Sequence, residues 1–138
     1  MGIPNPNSKV QLIKLEPRGE LLLAYNNHRP PGTFLGLKAC KACRTHLHLA
    51  LSEANALTWR HIHSLDDELS GSAVRIHYPC LVQLARPNQV AVVYSRFYLG
   101  KKVGTFSLDQ GIRFALLDVT GALTARRSWL TWLWRRFH

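Results

Sequence analysis

The amino-acid sequence predicts an all-β protein, and two observations carry that prediction. Short runs of alternating or β-branched apolar residues recur between turn residues, and no convincing helical period precedes residue 118. Eight runs are predicted as strands: 10–15, 21–25, 45–51, 58–63, 80–84, 90–94, 102–108 and 112–117. Strands at this spacing indicate an all-β sandwich, barrel or propeller, and two sets of four strands fit two four-stranded antiparallel propeller blades, over 9–65 and 79–117.

Turn residues separate the predicted strands. Pro17-Arg18-Gly19 follows the first strand, Pro87-Asn88 lies between the fifth and sixth, and Asp109-Gln110-Gly111 precedes the last. Proline presets the backbone for a turn, while glycine and asparagine accept its left-handed positions. Asp66-Asp67-Glu68 and Ser70-Gly71-Ser72 are predicted to form a loop between the two blades.

The last 21 residues differ from the rest, so the chain is divided into 1–117 and 118–138. Apolar and basic residues alternate there in the pattern of a basic amphipathic helix, which can lie on a membrane surface or dock in a groove. The alternative is a short helix that covers a sheet edge, or a frayed tail. The residues concerned are Leu123, Trp129, Leu130, Leu133, Trp134 and Phe137, with Arg126, Arg127, Arg135 and Arg136.

Composition limits the function classes. An apolar fraction of 46% with 19% charged residues excludes a disordered chain. Eighteen Lys and Arg against eight Asp and Glu give a net charge of +10, which favours anionic partners. The charge is spread along the chain without a nucleic-acid-binding signature, so no specific nucleic acid is predicted. No apolar run approaches the ~20 residues of a membrane span and no signal peptide is recognisable, which makes the cytoplasm the default compartment.

Cysteine and histidine residues raise the question of a metal. Cys40, Cys43 and Cys80 are an odd number and give no disulfide framework. Cys40 and Cys43 have the spacing of a zinc half-site, and His46 and His48 fall on one face of a predicted strand. The alternative is that the two cysteines are ordinary loop thiols and that the two histidines face solvent. We prefer that alternative and predict no metal and no cofactor.

The octapeptide 52–59 has the spacing of an Asp-box, Ser-x-Asp-x-Gly-x-Thr-Trp. Ser52, Thr58 and Trp59 match the motif, while its Asp and Gly are replaced. Such a box closes a β-hairpin: its polar side chains bond the turn backbone and its tryptophan packs between strands. Asn55 is predicted to supply the left-handed residue of the turn.

Five segments around this box share one resemblance. They are 4–8 (Pro-Asn-Pro-Asn-Ser), 21–26 (Leu-Leu-Leu-Ala-Tyr-Asn), 44–52 (Arg-Thr-His-Leu-His-Leu-Ala-Leu-Ser), 77–83 (His-Tyr-Pro-Cys-Leu-Val-Gln) and 90–96 (Val-Ala-Val-Val-Tyr-Ser-Arg). In this order they resemble the C-terminal part of the sialidase-like (neuraminidase) six-bladed β-propellers with BNR/Asp-box repeats. The resemblance covers about residues 3 to 117 and leaves out the tail.

The resemblance implies a retaining exo-glycosidase that removes a terminal acidic sugar. Its nucleophile is a tyrosine activated by a Glu, since a carboxylate nucleophile would be repelled by the substrate carboxylate. Three arginines bind that carboxylate. The resemblance places Tyr78 at the nucleophile position and Arg44 at the third arginine. The structural alternatives are a buried core tyrosine and a solvated surface cation.

Departures from the family pattern limit this expectation. Lys9 replaces a family glycine, and residues 73–77 lack the Glu that usually precedes Tyr-Pro. The Arg-Ile-Pro motif, the acidic general-acid loop, two arginines and the upstream Glu have no counterpart in the sequence. Two blades are also fewer than the about four that a closed propeller requires. We therefore expect a fragment that is inactive alone, or self-association through open blade edges. The alternatives are a non-catalytic glycan- or anion-binding module and an adaptor that binds membranes or nucleic acid through the tail.

Overall fold

The computed structural model describes residues 3, 8–27, 44–52, 56–67, 74–98 and 110–124. Within these ranges the chain forms two antiparallel sheets, with strand orders β1-β2-β3-β4 and β5-β6-β7. The strands are β1 Gln11–Lys14, β2 Leu21–Asn26, β3 His46–Ser52, β4 Arg60–Asp67, β5 Val74–Gln83, β6 Gln89–Tyr98 and β7 Gly111–Asp118. The all-β prediction is confirmed. The described residues form two separate sheets and no closed ring of blades.

The first sheet buries both faces of its central strands. Leu22 and Ala24 of β2 face one side, and Leu23 and Tyr25 face the other, because successive strand residues alternate. The edge strands β1 and β4 are largely half-buried or exposed. The pairing of β3 with β4 is shifted between Leu47 and His48 and again between Leu49 and Ala50. Such bulges change the direction in which side chains point.

The second sheet is a pair of long antiparallel ladders. The β5–β6 hairpin closes at Pro87-Asn88, as predicted, and Asn88 takes the left-handed conformation with φ 61°. On β7 the half-buried Ala115 and Leu117 pack against the core, so the alternate side chains face outward. The exposed apolar residues of that outer face are Val82, Ile112, Phe114 and Leu116.

One hydrophobic core lies between the two sheets. Its buried members come from both sheets, from the turn after β1 and from the segment after β7: Leu15, Leu22, Ala24, Leu47, Leu49, Leu51, Val74, Ile76, Leu81, Val90, Val92, Tyr94, Val119 and Leu123. Each fully buried aliphatic side chain contributes about 1.5–3 kcal/mol relative to exposure. This shared core is the main physical reason why the two sheets pack together.

Two glutamine side chains connect the sheets by hydrogen bonds to the backbone. The Gln11 carboxamide donates to the Leu81 carbonyl at 3.4 Å and accepts from the Leu81 amide at 2.9 Å. The Gln83 carboxamide donates to the Glu16 carbonyl at 2.6 Å and accepts from the Glu16 amide at 2.8 Å. Each glutamine thus pairs with both polar groups of one residue, as a neighbouring strand would.

Several predicted boundaries were wrong. Asp66 and Asp67 belong to β4 and not to a loop, because they pair with Leu47 and His46 of β3. β5 begins at Val74, six residues before the predicted start, and continues through a bulge at Tyr78-Pro79. The sheets therefore cover 11–67 and 74–118 rather than the predicted 9–65 and 79–117. The predicted strand 102–108 lies outside the described residues.

A single helical turn, 120–124, follows β7. The Asp118 carboxylate accepts a hydrogen bond from the Thr120 amide at 2.8 Å, which satisfies a donor at the start of the turn. Leu123 is buried in the core. The remaining tail residues lie outside the described part, so binding of membranes or nucleic acid by the tail stays a prediction. No helix in the described residues is long and apolar enough to cross a membrane.

Candidate active site

Tyr78 lies inside β5 at an irregularity of the sheet. The register between β5 and β6 shifts between His77 and Cys80, and Tyr78 has a φ of 52°. A left-handed backbone is costly for a bulky residue and is often found at functional sites. The Tyr78 side chain is 59% exposed, whereas Pro79 is fully buried. The alternative of a buried core tyrosine is therefore wrong.

His77 is the buried neighbour of this tyrosine. Its ring stacks with the Tyr78 ring at a centroid distance of 5.2 Å and with the Phe97 ring at 5.0 Å. Burial, together with the positive charges of Arg44 and Arg75, lowers the pKa of His77 to about 4. The imidazole is thus neutral near pH 7, and its neutral form can accept one hydrogen bond.

Arg44 supplies that hydrogen bond. Its guanidinium Nη1 donates to His77 Nδ1 at 2.7 Å. The backbone brings the two residues together, because the Arg44 carbonyl accepts from the Ile76 amide at 2.8 Å. Asn26, fully buried, strengthens this junction by donating from Nδ2 to the carbonyls of His46 and Ile76. The structure therefore brings Arg44 to the Nδ1 edge and Tyr78 to a face of one imidazole.

This arrangement offers two chemical functions. The Arg44 guanidinium is a donor suited to carboxylates, and the exposed Tyr78 ring carries a hydroxyl that solvent can reach. In the part of the chain that the structure describes, the Tyr78 hydroxyl has no carboxylate partner. Binding an anion is therefore within reach of these residues, while activation of the phenol requires a base from elsewhere.

The Asp-box hairpin is present and lies apart from this cluster in the sheet. Ser52 Oγ donates a hydrogen bond to the Thr58 carbonyl. Trp59 packs against Leu23, Tyr25 and Ala50 on the outer face of the first sheet. The left-handed residue found in this hairpin is Ala56, with φ 54°, at the position where the motif has Gly. Asn55, predicted for that role, lies outside the described residues.

A second polar cluster joins the start of β3 to the end of β4. Asp67 Oδ1 accepts hydrogen bonds from His46 Nδ1 at 3.0 Å and from His48 Nε2 at 2.6 Å. Burial lowers the pKa of His48 against the opposing effect of Asp67. Burial alone would raise the pKa of Asp67, but the hydrogen bond and charge of His48 lower it. Cys40 and Cys43 lie outside the described residues.

Sequence reasoning missed two members of these clusters. His77 precedes Tyr-Pro, and the alternation over 74–77 was the signal that would have extended β5 to include it. Asp67 was predicted to lie in a loop with Asp66 and Glu68. Its place opposite His46 depends on the two bulges between β3 and β4, which no local pattern indicates.

A family model decides the broader assignment. The BNR repeat-like domain matches residues 1–92, about two thirds of the chain. The chain belongs to the BNR repeat-like domain family. No curated protein and no solved structure matches it.

The BNR match agrees with the first sheet, the Asp-box and the resemblance at the level of the repeat family. It includes Arg44, His77 and Tyr78, and it ends within β6. Both clusters described above therefore lie in the BNR repeat-like region, and the family match itself assigns no chemistry to either of them.

Proposed function

We propose that the chain supplies one side of a sialidase-like glycoside hydrolase site for terminal acidic sugars of glycoconjugates. In this proposal Arg44 binds the sugar carboxylate and Tyr78 lies at the nucleophile position. The observation that carries the proposal is the Arg44–His77–Tyr78 arrangement, in which the guanidinium donates to the imidazole at 2.7 Å and the phenol ring stacks on it.

The charges of the site support an anionic sugar. Arg44 and Arg75 place two positive charges beside His77, whose own imidazole is neutral at pH 7 because burial and these charges lower its pKa, so the guanidinium groups supply the positive charge of the site. A guanidinium can bind a carboxylate through two parallel hydrogen bonds. Tyr78 is 59% exposed, so a ligand in solvent can reach its ring.

In a complete site Tyr78 would act as the nucleophile of glycoside hydrolysis. The phenol oxygen forms a bond to the anomeric carbon while the glycosidic bond breaks, and water later releases the sugar. The phenol proton passes to a base, and an acid protonates the leaving oxygen. His77 is a weak base because of its low pKa and already accepts from Arg44 at Nδ1. Hydrolysis therefore needs a base and an acid from outside the described residues.

A non-catalytic acidic-glycan-binding module is the second candidate. The observation that favours it is that, among the described residues, no carboxylate contacts the Tyr78 hydroxyl. Both candidates require Arg44 for binding, but only the hydrolase requires the Tyr78 hydroxyl for turnover.

Ligand-observed NMR with sialic acid and its methyl ester tests the binding step. We expect the free acid to bind, the uncharged ester to bind at least tenfold more weakly, and Arg44→Gln to remove that preference. Arg86→Gln is the matched control, because Arg86 is exposed in the β5–β6 turn. Equal binding of acid and ester would contradict the proposal.

Turnover of a fluorogenic sialoside separates the two candidates. We expect the isolated chain to bind without hydrolysis, as predicted from the sequence. Turnover that Tyr78→Phe abolishes would establish the hydrolase and overturn the expectation of inactivity. Binding that needs Arg44 but is unchanged in Tyr78→Phe, without turnover, would support the non-catalytic module.

A further inference from the structure

We propose that His46, His48 and Asp67 form a binding site for a divalent transition-metal ion of the zinc type, which clamps β3 to β4. Each residue offers one ligand atom, and these atoms all lie within 4.8 Å of one another. Two imidazoles with one carboxylate are a ligand set that suits zinc and its neighbours in the first transition row. This site is separate from the residues of the proposed function and stands independently of it.

The distances require little movement to admit an ion. In a tetrahedral site with bonds of about 2.0–2.1 Å, neighbouring ligand atoms are about 3.3 Å apart. The Asp67 carboxylate lies 3.0 Å from His46 Nδ1 and 2.6 Å from His48 Nε2. Shifts of about 1 Å would therefore place the three ligands around one ion.

The pairing of β3 with β4 preorganises these three side chains before any ion binds. His46 and His48 are alternate residues of β3 and share a face, and His46 pairs directly with Asp67 across the ladder. The register shift between Leu47 and His48 adjusts the second imidazole toward the same carboxylate. The His48 side chain is 11% exposed, whereas the Asp67 side chain is 45% exposed. The site is therefore buried at His48 and open to solvent at Asp67. Three protein ligands leave a fourth position for water or another donor.

Asn27 is a positioning residue for this site. Its side-chain amide lies 3.0 Å from His48 Nδ1. A metal on Nε2 requires the proton on Nδ1, which then donates to the Asn27 carbonyl oxygen after a half-turn of the amide. Such outer partners fix the orientation of a ligating histidine and commonly affect metal affinity by about 10–100-fold.

Titration of the chelator-treated full chain with Zn²⁺, followed by calorimetry, tests the site. We expect saturable binding of one ion and a rise in melting temperature on loading. His48→Gln and Asp67→Asn should each weaken binding at least tenfold, and Asn27→Leu about tenfold. Asp67→Asn is nearly isosteric at an exposed position, so its result is informative even where His48→Gln fails to fold. His63→Gln, an exposed histidine of β4, should bind as the parent does.

The cysteines provide the decisive contrast. The Cys40→Ser/Cys43→Ser variant should retain binding, and Co²⁺ loading should give visible bands without a thiolate charge-transfer band. Loss of binding in the cysteine variant alone would overturn the proposal, as would equal Zn²⁺ affinity in the parent and Asp67→Asn, or no saturable binding by the parent.

Discussion

Asp66 of β4 and Arg96 of β6 form an ion pair of 2.8 Å that joins the first sheet to the second. Their side chains are 17% and 10% exposed, so the pair is largely removed from solvent. The Tyr94 hydroxyl lies 3.5 Å from the other oxygen of the same carboxylate. This contact is the polar counterpart of the shared hydrophobic core.

Asp66→Asn is expected to destabilise the protein by about 2–4 kcal/mol, because it removes the carboxylate partner of a mostly buried guanidinium. Urea unfolding followed by circular dichroism measures the loss. The double variant Asp66→Leu/Arg96→Met should recover most of it, since a buried pair replaced on both sides by apolar groups is often nearly neutral. A single variant as stable as the parent would show that the pair is solvated and contributes little.

The pH dependence of stability should contain a term from His77. Its folded pKa of about 4 lies below the ordinary 6.5, so the unfolded chain binds the proton more tightly. The free energy of unfolding should fall as pH decreases from about 6.5 to about 4. Below about pH 4 the His77 contribution should no longer change, because the imidazole is then protonated in both the folded and the unfolded chain. We expect a loss on the order of 1–2 kcal/mol, after allowance for solvent screening.

His77→Gln is the control for this term, because its amide oxygen can still accept from Arg44 while it cannot titrate. Unfolding measured at pH 7, 5.5 and 4 should show a shallower decline in this variant. Parallel curves for the parent and the variant would contradict the assigned pKa.

Ala56→Gly should stabilise the Asp-box hairpin. The left-handed conformation costs an L-residue about 1–2 kcal/mol, while glycine loses about 0.4–1 kcal/mol in unfolded-state entropy. We expect a net gain on the order of 0.5 kcal/mol in urea unfolding. Ala122→Gly, in the right-handed helical turn, should instead destabilise by about 0.5–1 kcal/mol. The same sign for both substitutions would refute this account of the turn.

The exposed outer face of the second sheet should make the chain self-associate. Ile112 and Phe114 are 73% and 67% exposed, and Leu116 continues the row along β7. Sedimentation velocity over a concentration series should show a rising coefficient that Phe114→Lys suppresses. Leu57→Lys, an equally exposed position in the Asp-box turn, should leave the rise intact. A monomer at every concentration would count against association through this face.

The local pattern of apolar residues was enough to predict most strands, but it did not predict the side-chain clusters around His77 and Asp67. Alternating residues located β1, β2, β3, β6 and β7 within a few residues, since each buries one or both faces in a regular way. Pro79 concealed the first half of β5, because proline inside a strand normally argues against one. The backbone of Tyr78 and the pairing of Asp67 with His46 depend on bulges, which arise from tertiary packing.

The two glutamine links have a consequence for how the sheets can move. The hydrophobic effect is non-directional, so area burial alone does not fix how one sheet lies along the other. The paired amide bonds of Gln11 and Gln83 are directional, and they lie one at each end of β1. These bonds fix how β1 lies along β5, and because Asn26 and the Asp66–Arg96 pair attach the sheets again at β2 and β4, the two sheets should move as one body.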